Sequence, residues 1–278
     1  MKAMKNKVAM GLALAGLSLA SLPGYAAHVP GFTFSETPFT FDATAFGGGS
    51  FSATFADFSY ESEVDQTGSS FSESGVGFFG TFRNSLGGPP VAGTGLGTAY
   101  QMYAVFSGAG ATALNGGGGI DGTFSSFNVK VYIDDNLDTD ANTFTVGATG
   151  GNESKTVTGP TSDDKLILEG TLLEGGFHVF PGLAGGDFDV LFDVIDFNQE
   201  ALVLGGDAFA GPTIQGDLNG VNTTVVGVSA PPSDFIDGRI IGSGNTSFQS
   251  VPEPASLSLL GLGLLGMGAM LRRKHKAA

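Results

Sequence analysis

The chain has no cysteine and no tryptophan among 278 residues, only three histidines, and almost no positive charge between its two ends. Each shortage excludes a class of chemistry. Without cysteine there is no disulfide, thiol nucleophile, Cys-ligated zinc site or iron–sulfur cluster. A chain of this length can bury a sizeable core without covalent staples. His275 belongs to the basic tail, which leaves His28 and His178 for any Ser-His-Asp machinery, and no Gly-x-Ser-x-Gly elbow accompanies them. Gly116 to Gly119 lacks the Lys-Ser/Thr that completes a phosphate-binding loop. The expectation is a protein that is not an enzyme.

Charge is distributed by segment. Lys2, Lys5 and Lys7 stand at the front, and Arg272, Arg273, Lys274 and Lys276 at the back. Residues 27 to 254 hold all 27 acidic side chains against five basic ones (Arg83, Lys130, Lys155, Lys165, Arg239), a net charge of −22. Such a surface repels phosphate backbones, excludes nucleic acid as a partner and attracts cations.

The two ends read as addresses. A basic start, the apolar run "VAMGLALAGLSLASL" and small residues before Ala26 form a secretory signal over residues 1–26, with cleavage expected after Ala26. This implies export by the Sec machinery and signal peptidase. At the other end, Ala255 to Leu271 is an uncharged stretch of 17 residues, the short limit for a membrane helix. Arg272, Arg273 and Lys274 follow at once and hold that end in the cytoplasm by the positive-inside rule.

Ahead of this helix stands Val251-Pro252-Glu253-Pro254. The Pro-Glu-Pro tripeptide, the Gly/Leu-rich helix and the Arg272-Arg273-Lys274 cluster resemble the PEP-CTERM sorting signal of exported proteins in exopolysaccharide-producing Gram-negative bacteria. That resemblance implies an exosortase as processing partner and transient residence in the inner membrane. The prolines bar helix and keep the tripeptide extended for the enzyme. Residues 250–278 are therefore read as a sorting segment and residues 27–249 as the exported domain.

Within the domain the apolar pattern has period two: Phe39/Phe41, Phe51/Ala53/Phe55, Phe127/Val129/Val131/Ile133 and Phe188/Val190/Phe192/Val194. With 46 glycines placed in turns and 24 phenylalanines replacing tryptophan in the core, the pattern predicts an all-β fold. The expected form is a single antiparallel β-sandwich or jelly-roll-like domain with Gly-rich turns, flanked by the signal helix and the membrane helix. Asn219-Gly220 reads as a hairpin turn, and Asp187, Asp189 and Asp193 as a row on the solvent side of one strand.

The stretches "HVPGFTFSETPFTFDATAF", "GTGLGTAYQMYAVFSGAGA" and "VYIDDNLDT" are similar to the flocculation-associated PEP-CTERM proteins. That likeness implies a cell-surface or extracellular-matrix protein that promotes aggregation and biofilm by associating with exopolysaccharide. A secreted carbohydrate-active enzyme on a β-sandwich scaffold is the alternative. One constellation suggests a cofactor: Asp134, Asn136, Asp138 and Asp140 follow the one, three, five, seven spacing of a calcium loop. Thr139 stands where such a loop has glycine and no Glu occupies the twelfth position, so a solvated acidic turn is the favoured reading and calcium the competing one.

Overall fold

In a computed structural model, residues 34–139, 157, 161–181, 185–198, 202–203, 213–226 and 235–251 are described. The strands in chain order are β1 (Phe39–Asp42), β2 (Ser50–Ala53), β3 (Phe55–Thr67), β4 (Ser70–Arg83), β5 (Gln101–Leu114) and β6 (Ile120–Asp134). They continue as β7 (Lys165–Val179), β8 (Gly186–Phe197), β9 (Leu202–Val203), β10 (Thr213–Val226) and β11 (Phe235–Val251). Strands β3 to β8, β10 and β11 each run antiparallel to the next, and β11 pairs back onto β3, closing an eight-stranded barrel. Short strands β2, β1 and β9 form a separate three-stranded sheet.

The all-β, antiparallel expectation holds, whereas the sandwich or jelly roll is corrected to a closed barrel. Alternating apolar residues show which face of a strand is buried. They do not distinguish a sheet packed on a second sheet from one curled on itself. The signal helix and the C-terminal membrane helix lie outside the described residues.

What closes the sheet is a pairing of large with absent side chains. Seven inward aromatics stand directly opposite a glycine on the neighbouring strand: Phe71 and Gly110, Phe106 and Gly75, Phe127 and Gly108, Phe177 and Gly122, Phe188 and Gly220, Phe192 and Gly216, Tyr60 and Gly242. A Cβ at any of these glycines would come within 2.0 to 3.2 Å of the opposing ring. The ring occupies the space of the missing side chain and lies across the partner strand, which lets the wall curve tightly around an aromatic interior. Register shifts at Asp57/Phe58, Ala109/Gly110, Val131/Tyr132 and Asn222/Thr224 add local bends.

The expectation that glycines mark turns is therefore only half of their use. Gly47 and Gly118 do take positive φ in turns, at 78° and 84°. Asn219-Gly220, expected in a hairpin turn, lies within β10, where Gly220 makes room for Phe188.

Aromatic clusters sit at both ends of the barrel. At the end where β4 and β11 finish, Phe39 and Phe41 of β1 pack on Phe82, with ring centroids 6.3 and 5.9 Å apart, and Phe39 meets Phe248 at 5.5 Å. At the other end Phe71, Phe124 and Phe177 contact one another at 5.1 to 5.9 Å.

Candidate functional site

The wall separates two chemically different faces. Outward positions carry Asp57 and Asp65 on β3, Lys130 on β6, Glu169 and Glu174 on β7 and Asp187 and Asp193 on β8. Inward positions are overwhelmingly phenylalanine and aliphatic. The outward face also holds an apolar cluster, Val76 and Tyr103 with Phe78, Val105 and Tyr132 packed against them. Among the described residues no helix is long and apolar enough to cross a membrane.

The interior is not completely filled. A cavity of about 90 Å³ remains, lined by twelve phenylalanines together with Tyr60, Met102 and aliphatic side chains. Four polar residues reach this lining: Glu73, Tyr60, Asn222 and Thr246. The Tyr60 hydroxyl donates to Asn222 Oδ1, and burial raises the Tyr60 pKa well above the ordinary phenol range. Glu73 sits on β4 opposite Val64, in the same inward phase as Phe71 and Phe79. Its burial pushes the carboxyl up to about 7, against a smaller downward effect of the Ser62 hydroxyl. The Thr246 hydroxyl is buried and has no hydrogen-bond partner among the described residues. These four were legible only in part from sequence, since Glu73 falls in phase with apolar neighbours but belongs to a Ser/Gly-rich stretch that looks like loop.

The acidic turn after β6 is built around one carboxylate. Asp134 is fully buried. Its Oδ1 accepts the backbone N–H of Asn136 and Leu137 at 3.0 and 2.8 Å, and its Oδ2 accepts Thr139 N–H at 2.9 Å and Gln101 Nε2 at 2.6 Å. Asn136 Oδ1 accepts the Asp138 N–H at 3.2 Å, while its amide donates to Asp163 at 2.7 Å. Both Asp134 oxygens are thus occupied by N–H donors, an arrangement that fixes the turn. Asp138 is exposed and Asp140 lies outside the described residues. Among the described residues no group of three or more carboxylates or histidines has the geometry to hold a metal ion.

The row on β8 joins a wider polar surface. Asp187 and Asp193 are part-exposed, whereas Asp189 is 9% exposed and faces Asp217 of β10, itself 6% exposed. Burial, and then the Asp189 carboxylate beside it, push Asp217 up to about 8. Amide ladders continue across the wall: Asn219 donates to Asp217 at 2.7 Å, Asn245 to Asn219 at 3.1 Å and Gln249 to Gln215 at 2.8 Å. His178 pairs with Asp121, with Asn115 at 3.3 Å, on the rim of the barrel.

The last barrel strand leads straight into the C-terminal segment: β11 ends at Val251 and Pro252 follows. The molecule is a closed β-barrel with an apolar interior whose final strand runs into the C-terminal segment. The family model of the PEP-CTERM protein-sorting motif matches residues 250–274, so the chain carries a C-terminal sorting motif of this kind. The motif marks it as an exported substrate of an exosortase. No curated protein and no solved structure matches the chain. Pro252, Glu253, Pro254, Arg272, Arg273 and Lys274 of the sorting segment and Ala26 of the signal lie outside the described residues.

Proposed function

We propose that the protein is a non-enzymatic component of the cell surface or extracellular matrix that promotes aggregation by associating with exopolysaccharide. The observation that carries this reading is the sorting motif at the exit of a polar-walled barrel. Sorting delivers the barrel to the compartment where polysaccharide accumulates. The wall offers it rows of carboxylates and amides, groups that hydrogen-bond sugar hydroxyls directly and acidic polymers through shared cations. Release at the Pro252-Glu253-Pro254 tripeptide leaves the barrel whole, because Pro252 follows the last residue of β11, Val251.

The reading is tested by deleting the gene in its host and measuring aggregation together with polysaccharide output. Loss of aggregation with normal output supports a matrix role, and unchanged aggregation contradicts it. The alternative, a secreted carbohydrate-active enzyme, would release new reducing ends from the host's polysaccharide, and incubation with purified protein is expected to release none.

A further inference from the structure

We infer that the barrel cavity is a binding site for a small hydrophobic amine, with the apolar body among the phenylalanine rings and the ammonium group on Glu73. This goes beyond the matrix role and does not depend on it.

The cavity volume is about 90 Å³, against roughly 10–15 Å³ for one water on the same scale. It therefore has room for a compact organic molecule. Water has little to hold it there, since the lining is almost entirely phenylalanine, methionine, alanine, valine, leucine and isoleucine. An eight-stranded barrel is just wide enough either to fill with side chains or to keep space for one small ligand. Here the opposed glycines draw several rings back against the wall, as Phe192 lies over Gly216 and Gly170 and Phe106 over Gly75. The space they leave is the cavity.

The head group follows from charge. Among the described residues Glu73 is the only carboxylic acid in the lining, and no lysine, arginine or histidine accompanies it. An ionised carboxylate among phenyl rings lacks a counter-charge of its own. An anionic ligand would meet that carboxylate inside and a strongly acidic surface outside. A protonated amine instead meets attraction at each stage: the acidic surface, the carboxylate, and the negative faces of Tyr60 and the phenylalanine rings. A neutral alcohol would use the apolar body but not the charge.

The test uses the full chain in lipid nanodiscs, with empty nanodiscs as the blank. Binding of benzylamine, benzyl alcohol and benzoate, which share one ring and differ in head group, is measured by isothermal titration calorimetry at pH 8. The expected order is benzylamine first, at least ~10-fold tighter than benzyl alcohol, with no saturable binding of benzoate. In Glu73→Gln the benzylamine affinity falls by ~10-fold or more while benzyl alcohol changes little, and circular dichroism verifies the fold. Absence of saturable benzylamine binding, or equal affinity for all three probes in the wild-type protein, overturns the inference without recourse to any variant. Unchanged benzylamine binding in a folded Glu73→Gln overturns the role of the carboxylate.

Discussion

Phe192 of β8 lies directly opposite Gly216 of β10, and a Cβ on Gly216 would come to 2.0 Å from the tip of the ring. On its other side the same ring leaves only 2.3 Å for a Cβ at Gly170 of β7. One buried phenylalanine thus spans three strands because both neighbours give up their side chains.

This relationship predicts opposite effects for two glycine substitutions. Gly216→Ala forces the ring off its position and should destabilise the barrel by about 1–3 kcal/mol. Adding Phe192→Leu should recover part of that loss, a coupling that a double-mutant cycle in denaturant measures. Gly80, in β4, has nothing within 4 Å of the position of a Cβ and no positive φ. Gly80→Ala is expected to be neutral or stabilising by up to about 1 kcal/mol. Equal losses at the two sites would contradict the account of the glycines.

The same pairs explain how much of the fold was legible in the sequence. Strands with clean alternation, such as Phe127 to Ile133 and Phe188 to Val194, were readable because their inward residues are bulky and apolar. Strand β4 was not, since its inward phase reads Phe71, Glu73, Gly75, Gly77, Phe79 and its outward phase reads Ser70, Ser72, Ser74, Val76, Phe78. A glycine opposite a ring looks in one dimension like a turn, and only the neighbouring strand reveals its purpose. Strand β5 likewise continues through "GAGATA" to Leu114, where a period-two reading stops at Ser107. The sorting segment was fully legible because its three parts are contiguous in the chain. Tyr60 and Asn222 meet only through barrel closure, a long-range event with no local signal.

At the acidic turn, Asp134→Ala should cost about 1–3 kcal/mol by releasing three backbone N–H groups and the Gln101 amide. Because those donors already occupy both oxygens, calcium is expected to raise the melting temperature no more than sodium chloride of equal ionic strength. A calcium-specific rise that disappears in Asp138→Ala would establish the calcium reading instead.

Glu73 also gives the barrel a pH dependence with a definite sign. Burial raises its carboxyl from 4.5 to about 7, so the folded chain holds more protons than the unfolded one in that window. Stability is greatest below about pH 4.5, falls as pH rises through 7 and is flat above, with a total effect on the order of 2 kcal/mol after allowing for partial screening. Asp217, raised by burial and by Asp189, adds a slope of the same sign reaching to about pH 8. Denaturation curves from pH 4.5 to 8.5 should show Glu73→Gln gaining stability at the alkaline end, and the double variant with Asp217→Asn should be nearly flat. A wild-type protein that became more stable across this range would contradict both assignments.

The central claim, that this barrel is carried to the cell surface by its C-terminal segment and holds cells together there, rests most directly on Pro252, Glu253 and Pro254. The decisive measurement is complementation of a deletion strain with a variant in which all three are alanine, followed by membrane fractionation and an aggregation assay. The account predicts full-length protein retained in the inner membrane by its apolar segment and the Arg272/Arg273/Lys274 stop, and cells that stay dispersed although polysaccharide output is normal. Release of the variant at the wild-type level, with aggregation restored, would contradict it.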